Sequence, residues 1–349
     1  MTVTRISHDA LEAFSKAALA ASGADAESAN AATRAMLHGS LHGVDSHGIR
    51  LLPHYRRALL GGRVKGCPVP DFRRTRSGSG LLDLDHGLGA RGGYLAADHA
   101  VELAREAGIG AVGIRNSSHF GPAGAYSLAI AQAGLVGFVV CNSDAFVRLH
   151  DGAERFHGTN PISMAAPTHG DPWLFDMATS AIPYNRVMLY ASLGQALPEG
   201  TASDANGENT DDPRAAEMLA PLGHEYGFKG AGLAGIAEVL SAVMTGMRLS
   251  PEILPMNGED FATPREMGAF VIALDPAAFA GADLFLEGMK RYLDALRGSR
   301  ARDGGTVLAA GDREWMEAAR RRGEGIPVDA DTVAAFARIA EETGVPSPV

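Results

Sequence analysis

Residues Gly110-Ala-Val-Gly-Ile-Arg115, Asn116-Ser-Ser-His119-Phe-Gly121-Pro122-Ala-Gly124, Ala125-Tyr-Ser-Leu-Ala-Ile-Ala-Gln-Ala133 and Val136-Gly-Phe-Val-Val-Cys141 decide the fold. They read as strand, loop, helix and strand, because short β-branched runs flank an alanine-rich segment of helical length. His119 then sits in a strand-to-helix loop, where open α/β sheets build their sites. Pro122 and the glycines shape the turn and let a ligand approach the backbone. A histidine here can exchange a proton near neutral pH. The residue type alone leaves an alternative open, a loop histidine hydrogen-bonded to the backbone.

Outward from this unit, strands and helices alternate from about Phe72. Strands are expected at 81–85, 162–166, 173–177 and 269–274, and helices at 93–107, 184–193 and 276–297. Residues 194–215 read as a long polar loop, and 230–247 as a largely apolar, buried helix. Before this region come helices at 7–22, with Ser7 as cap and Gly23 as stop, and at 25–41. A third starts within 47–55 and stops at Gly61-Gly62. Pro68 and Pro70 mark a boundary. Helices are also expected at 312–322 and 329–342, so the chain is α/β flanked by helices from both ends.

The chain has 349 residues, 46% hydrophobic and 21% charged, with a net charge of −10. It can bury a sizeable core, and its acidity without a long basic block argues against nucleic acid and anionic membranes as partners. No uncharged apolar run approaches the ~20 residues of a membrane span. The N-terminus reads as a polar helix and not a signal peptide, and Cys67 and Cys141 read as reduced thiols, so a cytoplasmic protein is expected.

Two matches to G-x-G-x-x-G occur. Gly108 to Gly113 follows a helix and runs into a strand, the reverse of the dinucleotide fingerprint. Gly87 to Gly92 has the right order, yet the following strand ends in Arg115-Asn116 and offers no acid for a ribose. His38 and His42, four apart, could face one metal, but no H-E-x-x-H or ligand-spaced carboxylate accompanies them, and no metal is expected. Ser46, His47 and Arg50 form a polar cluster where an arginine fork could grip a carboxylate; a helix cap beside a solvated arginine is the plainer reading. Asn142-Ser143-Asp144 shares a sheet edge with His119 if the strands 110–115 and 136–141 are parallel neighbours. Lys229 runs against the helix dipole, which suggests a phosphate or ribose contact, or a solvated side chain.

Taken together, Asp45-Ser-His-Gly48 with Arg50 and Tyr55, Ser118-His-Phe-Gly121, Gly158-Thr-Asn-Pro161, Asp176-Met-Ala-Thr-Ser180 and Phe228-Lys-Gly230 resemble the type-2 malate/L-lactate dehydrogenase family. They stand in that family's order over nearly the whole chain. The resemblance implies an α/β, mixed-sheet, non-Rossmann nucleotide-binding domain (71–297) plus a helical domain made from both chain ends (1–70 and 298–349). It implies an NAD- or NADP-dependent oxidoreductase transferring hydride to or from C2 of a small anionic 2-oxo or 2-hydroxy acid, and a homodimer with its cofactor near the subunit interface. His119 would be the proton donor or acceptor, and Ser46, His47, Arg50 and Tyr55 the substrate contacts. Ser143, Asp144, Thr159, Asn160, Asp176, Met177, Ala178, Thr179, Ser180 and Lys229 would line the cofactor side. A cyclic imino acid presents the same geometry as a 2-oxo acid, and a cofactor-binding protein without turnover is a further alternative. The chain departs from the family's pattern at 181–186, 223–226 and 310–314, which leaves open the substrate and the choice between NAD and NADP.

Overall fold

The computed structural model describes residues 4–349. The chain begins with β1 (Thr4–Ile6), α1 (His8–Ala20), α2 (Ala26–Leu41) and α3 (Leu52–Leu60). Ser7 and Asp25 cap α1 and α2 by accepting from the amides of Ala10 and Ser28, as serine and aspartate do at orphan N–H groups. The sheet region follows with β2 (Asp71–Arg76), β3 (Ser79–Asp83), α4 (Gly89–Ala107), β4 (Ile109–Ser117), α5 (Gly124–Gln132) and β5 (Val136–Cys141). Next come β6 (Val147–Arg148), β7 (Arg155–His157), β8 (Ile162–Ala166), β9 (Trp173–Met177), α6 (Tyr184–Leu193), β10 (Ala202–Ser203), β11 (Met218–Leu219) and α7 (Gly227–Glu238). The chain closes with β12 (Met267–Leu274), α8 (Ala282–Arg297), α9 (Asp312–Glu324), β13 (Ile326–Val328) and α10 (Ala330–Thr343).

The main sheet is mixed, in the order β2-β3-β4-β12-β5-β8-β9, and only β3 and β4 pair in parallel. The strands 110–115 and 136–141 therefore run the same way but are not neighbours, because β12 lies antiparallel between them. Its run Met267-Gly-Ala-Phe-Val-Ile-Ala-Leu274 is apolar and nearly all buried, so it needs an interior slot. β2, which the sequence reading passes over, is an exposed, arginine-rich edge strand, where charge discourages further pairing.

The two chain ends meet. β1 pairs antiparallel with β13, and Phe14 of α1 packs on Phe336 of α10 with ring centroids 5.2 Å apart. Leu11, Phe14 and Phe336 belong to the same continuous core as Leu82 and Ile114 of the sheet.

Three expectations are corrected. The 93–107 helix starts four residues earlier, at Gly89, where the His119 carbonyl leaves no room for a Cβ. The 194–215 loop contains β10, part of a small sheet in the order β10-β11-β6-β7. The 230–247 segment is not one buried helix: α7 ends at Glu238 and continues as a π-type turn over Val239–Val243. Ile236, Val239, Val243 and Met244 stand 46–62% exposed there. Both G-x-G-x-x-G matches serve packing. Gly108 ends α4 in the left-handed conformation, Gly92 lets α4 approach Leu84, and Arg91 pairs with Asp25 and Glu27.

Candidate active site

The loop after β4 is pinned before it presents its histidine. Asn116, at φ +50°, donates from Nδ2 to both oxygens of Asp83. Ser118 Oγ donates to the Gly87 carbonyl and accepts from the Gly89 amide. Tyr126 donates to the Phe120 carbonyl. His119 is thereby fixed, half-buried, at the end of β4.

Its Nδ1 lies 2.9 Å from Tyr55 Oη, and its Nε2 has no hydrogen-bond partner among the described residues. Burial raises the Tyr55 phenol above its ordinary value, so it stays protonated and holds the ring. Burial also pushes His119 well below its ordinary value, helped by His47, His54 and Arg265. The ring is accordingly neutral in the free protein, with Nε2 available to take up or deliver a proton.

The structure brings Ser46, His47 and Tyr55 to this ring. The His47 ring stacks on His119 with centroids 5.8 Å apart, and Ser46 Oγ holds its Nδ1 at 2.9 Å. Arg50 is exposed, on the side of Asp329, with no ion-pair partner among the described residues. Asp45, next to Ser46, is gripped in a two-pronged contact by Arg321 of α9, so the C-terminal helices brace this corner.

On the other side, Asp176 at the end of β9 accepts from the Gly124 amide at 2.9 Å. A Cβ on Gly124 would stand 2.6 Å from Asp176 Oδ2, so this approach requires glycine. Burial, with Glu314 adding repulsion, raises Asp176 to about 7. Met177 and Ala178 are half-buried beside it. Thr179 donates from its amide and hydroxyl to the Thr159 carbonyl, and Ser180 donates to the Ile182 carbonyl. Ser143 Oγ accepts from the Thr159 amide, while its own amide donates to Asn160 Oδ1. Ser143, Thr159, Asn160 and Thr179 thus converge along one rim of strand ends.

Within that rim the structure departs from two expectations. Asn160 is fully buried and its Nδ2 is taken by Glu238 and the Ala234 carbonyl, so it shapes the rim from behind. Asp144 gives one oxygen to Arg265 and the other to the Met256 amide, so both oxygens are engaged in holding the 254–265 loop. Lys229 is exposed in the first turn of α7, its ammonium 5.0 Å from the Tyr226 ring centroid and unpaired with any carboxylate among the described residues. Leu222 joins α7 to the rim, donating to the Thr179 carbonyl and accepting from Gly230. An unpaired ammonium beside such a rim fits a diphosphate-bearing cofactor. His42 donates from Nδ1 to the His38 carbonyl, and the two ring centroids lie 4.3 Å apart. Glu238, Arg265 and His54 are the functional neighbours that sequence reasoning missed. Only Glu238 carried a signal, as the lone acid in the apolar 230–247 stretch.

A profile of the malate/L-lactate dehydrogenase family matches residues 6–337. The chain belongs to this family. Among relatives, a malate dehydrogenase of Pyrococcus abyssi is 32% identical over 98% of this chain and 95% of its own length. A (2R)-3-sulfolactate dehydrogenase (NADP(+)) of Chromohalobacter salexigens is 32% identical over 90% and 92%. A ureidoglycolate dehydrogenase (NAD(+)) of Escherichia coli K12 is 30% identical over 84% and 83%. Among solved structures, malate dehydrogenase from Entamoeba histolytica superposes with a TM-score of 0.93 at 27% identity, covering 100% of both chains. A Δ1-piperideine-2-carboxylate reductase from Pseudomonas syringae gives 0.82 at 30% identity, over 97% and 99%. The malate/L-lactate dehydrogenase family is one of oxidoreductases, and the mixed α/β fold is the one its structures share.

Proposed function

We propose that this protein is an NAD(P)-dependent oxidoreductase that exchanges hydride with C2 of a small 2-oxo or 2-hydroxy acid, His119 exchanging the proton. The observation that carries the reading is the His119 ring, held at Nδ1 by Tyr55 with Nε2 open. A bound nicotinamide supplies or accepts the hydride. The chain's own residues do the rest. His119 takes the hydroxyl proton in oxidation and returns it to the alkoxide in reduction. His47 and Ser46 wall the substrate position, and Arg50 receives the carboxylate. The rim from Ser143 to Thr179, with Lys229, orients the cofactor. NAD and NADP both occur in the names of relatives. A second reading, reduction of a cyclic imino acid, draws support from the structural likeness to the piperideine-2-carboxylate reductase.

Absorbance at the nicotinamide band with a panel of 2-oxo acids and cyclic imino acids tests both readings. Turnover of one class assigns the substrate, and binding of NAD(P)H without any turnover would overturn the enzyme reading in favour of a cofactor-binding protein. The working unit is a homodimer. Its support is the exposed apolar stripe of α7 and the following turn, which begins at Phe228 beside Lys229, so a second copy covering the stripe would border the cofactor side. Light scattering that gave a mass near one chain, 36.4 kDa, at full activity would refute it.

A further inference from the structure

Arg265 is among the largest fully buried side chains of the molecule, 2% exposed, and lies where the chain turns into β12. A buried guanidinium is costly unless every N–H finds a partner. Here Nη2 donates to Asp144 and Nε donates to the Leu254 carbonyl at 2.8 Å, while Nη1 is buried with no partner among the described residues. Asp144 completes the arrangement by accepting from the Met256 amide at 3.0 Å. The pair therefore holds Leu254 and Met256 at the start of the 254–265 loop. Farther along that loop, Phe261 lies 5.6 Å from the His54 ring, which in turn lies 6.3 Å from His119.

The charges on this side of the site are unbalanced. Arg57 and Arg63 lie over Phe261 at 3.9 and 4.5 Å. Arg63 is also buried, with Nε unpartnered among the described residues. The acids against these three arginines are Asp144 and Asp260, and Asp260 is occupied by the amides of Ala262 and Thr263. The side chains against His119 are His47, His54 and Tyr55, with no carboxylate among them, and Arg265 acts on both His54 and His119 through its charge.

We infer that Arg265 is a positioning residue for His119: paired with Asp144, it fixes the loop whose Phe261 backs His54, and it keeps a buried positive charge on the His54 side of the site. Asp144 then acts through Arg265 and not on the cofactor. The assignment rests on His119 as the proton-exchanging group. Its consequence is electrostatic. A fixed cation disfavours the imidazolium, so His119 waits as a base, and binding of an anionic substrate brings it into range for protonation. Burial first, and then Arg265 with Arg63 and Arg57, push His54 down to about 4.

The test is a histidine ring titration by NMR on the full chain, which needs no substrate and so stands even if the proposed reaction fails. Arg265→Met leaves the Asp144 carboxylate without its cation, and the His119 midpoint should rise by on the order of 1 pH unit or more. Asp144→Asn combined with Arg265→Met removes both charges, and the rise should fall to about half or less of that value. Arg265→Lys, which keeps the charge, should titrate near the unsubstituted protein; it also serves as the folded reference if Arg265→Met does not fold. Loss of packing alone would make the double variant at least as perturbed as the single one, which overturns the inference. It is equally overturned if Arg265→Met leaves the midpoint unmoved, or if Asp144→Asn weakens NADH binding tenfold with the histidine midpoints unchanged.

Discussion

Asp176 and Glu238 are both carboxylates held in the interior near the same rim, and they are treated in opposite ways. Glu238 accepts from Asn160 Nδ2, Asn142 Nδ2, the Ser250 amide and the Ser250 hydroxyl, at 2.6 to 3.5 Å. Asp176 accepts from one amide, Gly124, and is left at about 7. Buried polar groups with full sets of partners fix a structure, and those left short of partners keep a reactive or adjustable proton. The same division separates Asn160, whose Oδ1 and Nδ2 both have partners, from His119, whose Nε2 is open. Chemistry is expected on the under-satisfied side and stability on the satisfied one.

The sharpest test of the first half is His119→Ala. Turnover should fall roughly 10²–10⁴-fold, the usual worth of a general acid–base, with NADH affinity by fluorescence little changed. Near-normal turnover would mean that proton exchange lies elsewhere, Asp176 being the next group to examine. The second half is tested by Glu238→Ala. Several buried donors lose their acceptor at once, so urea unfolding should show roughly 2–4 kcal/mol of lost stability. A loss of a few tenths would show that water replaces the carboxylate and that the hub is not structural.

These two regions were unequally legible in the sequence. The His119 loop announces itself, because Pro122 and the glycines between an apolar strand and an alanine helix are local signals. Tyr55, which holds His119, is 64 positions away, and only the family resemblance connected them. β12 was recognised as a strand, but its place between β4 and β5 depends on pairing over more than a hundred residues, which periodicity does not encode. Arg265 and Asp144 each look like ordinary loop charges, and their burial against one another is a tertiary fact. Ser7 was readable as a cap because capping is a short-range matter of one side chain. The apolar content of 230–247 was read as burial, yet the helix shows that side to solvent within one chain.

Asp176 offers a finer test through pH. Its folded value, about 7, lies above the ordinary 3.8, so the folded state holds the proton more tightly than the unfolded state. The stabilising contribution is therefore full below pH about 4 and is lost as pH rises through about 7. With water reaching the half-buried group, the loss should be on the order of 2 kcal/mol across that window. Asp176→Asn removes the ionisation, and the difference in urea stability between the variant and the unsubstituted protein should grow in the variant's favour from pH 4.5 to 7.5. A constant difference would show that Asp176 does not change its ionisation across that window.

Arg50 tests whether an exposed group can belong to the under-satisfied side. Unlike Arg321, which spends its fork on Asp45, Arg50 has no ion-pair partner among the described residues. It stands three residues beyond His47, whose ring is stacked on His119. A free guanidinium at that position suits a substrate carboxylate, since two parallel N–H donors match its two oxygens. Arg50→Lys keeps the charge and removes the planar fork. The loss of one charge-assisted hydrogen bond, roughly 1.5 kcal/mol, corresponds to about a tenfold rise in KM for the acid substrate. Cofactor affinity and the His119 titration should not move, because neither involves the Arg50 side chain. If KM is unchanged, Arg50 is a solvated surface residue facing Asp329, and the carboxylate must find its cation elsewhere.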